Sequence, residues 1–500
     1  MRSFLSNLSS VFSLLSLLGF YPRPVTADIP YYSYDTLFFA PNQVLNNSWF
    51  SQSKWAQETV VAWADQLQAS GPWSVTNKTE LPESNDAHDY YSLAVYWWPN
   101  CSNVVNTTAL TQQQVWDECS YYQRDGLFNP DIYDIQNLED IFNVTDSVYL
   151  SAMAYAATGS AVYASHINSA LYTFFIDQTS LMNPNLNYAQ VVRGPGNQTG
   201  DREGVLDGET LTKIAAGVEV IRKSGAPEWE STTENGISNW AGEMITWLTT
   251  SVLGVQERVA TNNHGSYYFN QICSLYLLMN DAASAVSQLE YFYTNTFPGQ
   301  IAANGDQPME SSRTRPYHYR AYNLAALVVN AEIGDYVGLS PSGWNRTATS
   351  GATIFDAINF AIEQDPLSHN ETDSITELNP IVAAVASRFG DPSGKYAAFL
   401  AKTDPQYPAQ PYYALSANVS NSGITQNSAN STNSTSETSG TSGMSGSSKP
   451  AAAASATGSS AAKSSAASDA TTRPFVTAQL AITGLLVFTL VWFSGGGMIL

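Results

Sequence analysis

The sequence predicts an all-α protein built from stacked helical hairpins. Three observations point there: apolar residues recur at helical spacing over segments of helical length, alternating strand patterns are few, and glycine falls where the segments stop. The segments span 146–157, 161–176, 209–224, 240–251, 265–279 and 322–333. Within 209–224, Leu211, Ile214, Ala215, Val218 and Ile221 stand three or four apart, which places them on one helical face. Gly159, Gly225 and Gly254 sit at or near the ends of such runs. No exact internal repeat is visible, so periodicity leaves both an open solenoid and a closed α/α toroid standing. The first hundred residues are less regular and rich in Trp and Tyr, which suits loops covering a groove.

The two ends read as targeting signals. Arg2, the apolar run 11–20 and the small-residue pattern Val25-Thr26-Ala27 make a secretory signal peptide over 1–27, with the mature chain starting near Asp28. The folded body is expected over 28–415. From 416 to 472 the chain is almost entirely Ser, Thr, Ala, Gly and Asn, too poor in apolar surface to offset its conformational entropy, and is expected to form an unfolded, O-glycosylated stalk. The segment 473–500 carries a hydrophobic tail with nothing basic after it, preceded by small residues from Ser464 to Ser468 and a polar spacer. That order is the signal for GPI attachment, with Ser465 and Ser468 as alternative acceptors. Sequons at Asn46, Asn77, Asn100, Asn106, Asn143, Asn197, Asn345, Asn370, Asn418, Asn430 and Asn433 agree with a secreted glycoprotein. The expected location is the extracellular face of the plasma membrane or the cell wall, with the membrane reached through a lipid anchor.

A formal charge of −22 argues against nucleic acid as a partner. It argues less against a polyanionic sugar, because a site needs only local donors. Of three cysteines, Cys101 and Cys119 are the natural pair in an oxidising compartment, and Cys273, in an apolar helical run, reads as a buried free thiol. No zinc-ligand spacing occurs among the cysteines and histidines, and no metal or cofactor is expected.

Four clusters carry potential chemistry: His88-Asp89-Tyr90 through Tyr96-Trp97-Trp98-Pro99; Met182-Asn183-Pro184 through Asn187-Tyr188-Ala189-Gln190; Asn262-Asn263-His264-Gly265; and Glu310 through Arg313-Thr314-Arg315-Pro316-Tyr317-His318-Tyr319. β-Elimination from a uronate removes a weakly acidic proton at C5, beside a carboxylate that gains charge as the proton leaves. It therefore needs donors aimed at that carboxylate, a base near C5 and an acid near the O4 leaving group. Amides, His, Arg and Tyr supply these parts, and a cation beside a tyrosine favours its phenolate.

Across these clusters, with Arg124-Asp125-Gly126 and Asn129-Pro130, the sequence resembles the alginate-lyase-like polysaccharide lyases, α/α-toroid enzymes, over most of Asp86 to Leu327. The resemblance implies a toroid and a lyase acting on an acidic polysaccharide, a uronan of alginate or glucuronan type. It implies that Asn263 neutralises the substrate carboxylate and that Arg313 assists it or tunes the tyrosine. His264 and Tyr319 become the proton-transfer pair: Tyr319 is the stronger candidate for the acid to O4, and either of the two can be the base. Arg315 is a rival to Arg313, because the Arg-to-Tyr spacing varies by one residue in the family. His88, Tyr90, Trp98, Asn187, Tyr188, Gln190, Asn262 and Arg315 are the expected substrate-binding residues.

Each cluster also has a plainer reading. Asn-Asn-His can be a helix cap, Arg313 an ion-pair partner of Glu310, and Tyr319 a core aromatic. Trp97 and Trp98 are expected to divide, one inward and one on the groove. Two alternatives to the lyase remain: a glycan-binding cell-wall or adhesion protein on the same fold, or a glycoside hydrolase using two of Asp89, Asp125, Asp201, Asp207 and Glu310.

Overall fold

The computed structural model describes residues 36–45, 53–105, 109–196 and 198–415. The leader at 1–27, the stalk at 416–472, the tail at 473–500 and sequons Asn46, Asn106, Asn197, Asn418, Asn430 and Asn433 lie outside the described residues. Among the described residues no helix is long and apolar enough to cross a membrane.

In chain order the helices are α1 (Pro41–Leu45), α2 (Lys54–Ser70), α3 (Gln112–Glu118), α4 (Asn137–Thr158), α5 (Ala161–Phe175), α6 (Leu211–Ser224), α7 (Ser231–Thr250), α8 (Val252–Arg258), α9 (Asn263–Leu278), α10 (Ala282–Tyr291), α11 (Pro308–Ser311), α12 (Pro316–Val337), α13 (Ile354–Ile362), α14 (Asn379–Phe389), α15 (Lys395–Thr403) and α16 (Pro411–Leu415). The short strands are β1 (Tyr91–Leu93), β2 (Trp97–Asn100), β3 (Ser120–Gln123) and β4 (Tyr188–Val191).

The helices form two layers. α2, α4, α6, α9, α12 and α14 touch one another in that order, and α16 links α14 back to α2. α5, α7, α10, α13 and α15 each pack against one or two of those inner helices. The ring closes, so the fold is an α/α toroid. What separates it from a solenoid is the contact between the last helix and α2, which no local pattern encodes.

Three helices run longer than periodicity predicts, and the reason is chemical. α4 begins at Asn137 and includes buried Asp140, Thr145 and Asp146, polar residues that interrupt an apolar count while lying inside. α7 and α12 likewise start upstream of their apolar runs, at Ser231 and Pro316. α6 lies between α4 and α9 and is buried on every side from Leu211 to Ile221, a wider burial than a single face. Its buried Lys213 is neutralised by an ion pair with Asp146, which offsets the desolvation of both charges. Gly159 and Gly225 close α4 and α6 as expected. Gly254 instead lies inside α8, its amide capped by Ser251 Oγ.

β2 and β3 form an antiparallel hairpin from Trp97↔Gln123 to Asn100↔Ser120. The Cys101–Cys119 disulfide ties its end, and Cys273 is a buried free thiol, both as expected. β1 pairs in parallel with β4. Asn77, Asn100, Asn345 and Asn370 lie at the surface, whereas Asn143 is half-buried in α4.

Candidate active site

Tyr319 stands in the first turn of α12, which Pro316 opens with its fixed φ and missing N–H. Its ring is buried, but its hydroxyl enters a polar cluster. Arg313 Nη2 donates to Tyr319 Oη at 2.8 Å, and the Tyr96 hydroxyl lies 2.8 Å away. The guanidinium carbon stands 3.9 Å from the Tyr319 ring centre. Arg313 is anchored by Asp125, with Nη2 at 2.6 Å from Oδ1, and Thr314 Oγ1 donates to the other carboxylate oxygen at 3.0 Å. Gly126 makes this possible: its φ is +77°, and a Cβ there would lie 2.5 Å from Thr314 Oγ1. Only glycine lets the turn after β3 settle onto the segment that carries Arg313.

The electrostatics follow from burial first. Burial opposes charge on Asp125, but hydrogen bonds from Arg313 and Thr314 bring its carboxyl below the usual range. Burial pushes the Tyr319 hydroxyl far above an ordinary phenol, and Arg313 offsets only part of that. The expectation that a neighbouring cation favours the phenolate is thus reversed by desolvation. Tyr319 is held protonated, the state a general acid requires.

Asn263 and His264 open α9. A Cβ on Gly265 would fall 2.0 Å from the Ala260 carbonyl oxygen, so glycine permits the tight corner between α8 and α9. That corner brings Glu257, near the end of α8, to His264: Nδ1 and Oε1 are 2.5 Å apart. Nε2 has no partner among the described residues. Asn263 donates its backbone N–H to Glu310 Oε1 at 2.8 Å and its side-chain amide to Oε2 at 2.6 Å. Burial raises the Glu310 carboxyl above its ordinary value, against those two donors. Asn263 is only 1% exposed. α9 and α12 pack side by side, with Tyr267 Oη donating to the Tyr322 carbonyl at 2.8 Å and the two rings 4.3 Å apart. His264 and Tyr319 each stand in the first turn of their helix, and the segment 310–313 bridges the two turns, Glu310 accepting from Asn263 and Arg313 donating to Tyr319.

The family model for alginate lyase matches residues 74–371, more than half of the chain. The chain belongs to the alginate lyase family. Among solved structures, an alginate lyase from Bacteroides ovatus is 23% identical, covers 77% of this chain and 99% of its own, and superposes with a TM-score of 0.66. Alginate lyase A1-III from a Sphingomonas species is 16% identical over 69% of this chain and 90% of its own, with a TM-score of 0.42. The first likeness bears on the fold, a toroid. No curated protein matches the chain. As an alginate lyase family member the chain is a polysaccharide lyase that cleaves a uronic-acid polymer by β-elimination.

The remaining expected site residues divide. Tyr90 and Gln190 are buried and do not face a groove: with Ser92 they donate to the buried carboxylate of Asp207. Tyr90 is fully enclosed, so the sequence's assignment of substrate contact is corrected by its burial. His88 is half-exposed, its Nδ1 at 2.6 Å from the Leu181 carbonyl. Arg315 turns away from Tyr319 and pairs with Asp373 at 2.7 Å and Ser374 at 2.8 Å. This leaves Arg313 as the arginine on the tyrosine, and Arg313 pairs with Asp125, not with Glu310 as the plainer reading has it. Asn187 is exposed and accepts from Trp247 Nε1 at 2.8 Å; Tyr188 and Asn262 are half-exposed. Trp97 and Trp98 are both half-exposed, so neither is the inward core residue expected; Trp98 carries Arg124 4.8 Å over its ring.

The carboxylates considered for hydrolysis are committed elsewhere. Asp89 accepts from Ser84, Asn183 and Asn185, Asp201 caps the turn at Gly204, and Asp207, Asp125 and Glu310 hold the partners named above. Sequence reasoning missed Glu257, and it missed Tyr96 as a partner of Tyr319. Tyr96 lay in plain view in an aromatic run, whereas nothing in the sequence distinguishes Glu257 from a surface helix glutamate.

Proposed function

We propose that Tyr319, His264, Asn263 and Arg313 carry the elimination, on a uronan of alginate or glucuronan type. The observation that supports this reading best is the Tyr319 hydroxyl, held protonated by burial and met by Arg313 and Tyr96 at 2.8 Å each. As Tyr319 gives its proton to O4, its oxygen becomes an acceptor facing two donors already in place. His264 offers Nε2 at C5, and the Asn263 amide meets the carboxylate as its charge grows. Asn187, Tyr188, Asn262 and Trp98, all partly exposed, fit contacts to neighbouring sugars.

The chain is further proposed to be exported, glycosylated and lipid-anchored at the cell surface, on the strength of its leader, its sequons and its C-terminal tail. The test is the absorbance of the conjugated 4,5-unsaturated uronate while residues 28–415 act on a panel of uronans. A rise with alginate or glucuronan, lost in Tyr319→Phe, is the expected result. A fully active, folded Tyr319→Phe overturns the assignment of the acid.

A further inference from the structure

We propose that Glu257 is the positioning residue that gives His264 its part in the proton transfer. It fixes the ring with Nδ1–H toward itself and Nε2 toward the substrate. The inference rests on the reading of His264 and Tyr319 as the proton-transfer pair.

The Glu257 carboxylate is fully buried, with 0% side-chain exposure. Among the described residues its one hydrogen-bonding contact is His264 Nδ1 at 2.5 Å; the nearest cation, Arg202, stands 3.6 Å from the other oxygen, beyond hydrogen-bond range. An ionised carboxylate can only accept, so the hydrogen of the imidazole belongs on Nδ1 and the lone pair on Nε2. Two further carboxylates act on the ring from other elements, and both are engaged elsewhere: Glu203 with Arg202 at 3.1 Å, and Glu310 with Asn263. Glu257 is therefore the acidic group that touches the imidazole among the described residues.

The chemistry balances with these groups alone. Nε2 takes the proton from C5, and the C–H electrons form the C4–C5 double bond. The C4–O4 bond breaks with its electron pair on O4, which receives the Tyr319 proton. His264 is then an imidazolium, and the buried Glu257 charge compensates it where water does not share the task. After product leaves, solvent removes the proton from His264 and returns one to Tyr319. With the opposite tautomer, Nε2 would carry a hydrogen and could take nothing from C5.

The test uses the whole protein with nitrogen-15-labelled histidine, feasible because the chain has five histidines. The wild type is expected to show His264 protonated at Nδ1. Glu257→Gln is expected to lose that single tautomer and to lower kcat by about 10²-fold or more, with KM within about twofold. Glu257→Asp, which keeps the carboxylate, is expected to keep the tautomer and recover part of the rate. A wild-type His264 protonated at Nε2 overturns the proposal, and that measurement stands even if Glu257→Gln does not fold. So does wild-type kcat in a folded Glu257→Gln, or a lost rate with the tautomer unchanged. Full activity in His264→Ala would instead refute the proton-transfer pair itself.

Discussion

Tyr96→Phe isolates one hydrogen bond at the reacting oxygen. The substitution removes a single hydroxyl, 2.8 Å from Tyr319 Oη. The ring itself keeps its packing, stacked on Phe128 with centroids 5.4 Å apart and planes 4° from parallel. Before reaction either tyrosine can be the donor. Once Tyr319 has given up its proton its oxygen can only accept, so Tyr96 must donate, and the bond becomes one to an anion. Such bonds contribute about 1.5–3 kcal/mol, which corresponds to a fall in kcat of roughly 10- to 150-fold. Arg313 remains as the other donor, so activity falls without vanishing. KM should hold, because the contact strengthens only as charge develops. The assay is the initial rate of unsaturated uronate formation across substrate concentrations, with thermal unfolding as the control for folding. A folded Tyr96→Phe with kcat within threefold of wild type would show that the second donor contributes nothing to the acid.

Three other outcomes follow from the same contacts. Arg313→Ala should lower kcat by about 10²-fold or more, whereas Arg315→Ala, whose partner Asp373 is largely exposed, should change stability by less than about 1 kcal/mol and leave kcat nearly intact; equal losses of kcat would contradict the geometry. Gly265→Ala should cost about 1–3 kcal/mol in denaturant unfolding, and more in activity, because the Cβ must displace the Ala260 carbonyl and with it the corner joining Glu257 to His264; an unaltered midpoint and rate would refute the packing argument. Burial beside Asp335 pushes the Glu332 carboxyl up to about 7 from an ordinary 4.5. The folded chain then holds a proton that the unfolded chain releases at lower pH, so this contribution to stability is complete below about 4.5 and is lost as pH rises through 7. Glu332→Gln should flatten that decline, and an unchanged pH profile of unfolding would count against it.

The sequence by itself determined the helical class, the place of six helices and the bounds of three of them, the disulfide pair, and the candidates for the centre of the site. Those are local properties: apolar spacing, proline and glycine at helix ends, two cysteines free to pair, and an Asn-Asn-His and an Arg…Tyr group whose side-chain chemistry matches one reaction. Burial and partnership are not local, and there the sequence misled. Tyr90 and Gln190 have the look of sugar ligands until Asp207, far along the chain, is seen to take them inside. Arg313 and Arg315 are chemically equal until Asp125 and Asp373 pull them apart. Tyr319 looks like a tyrosine a cation would ionise, and desolvation keeps it protonated instead. Closure of the ring, the choice between two arginines and the contact from Glu257 to His264 were decided only by tertiary structure. Each depends on which groups the fold removes from water and sets within 3 Å of one another, a matter of distance in space that spacing along the chain does not carry.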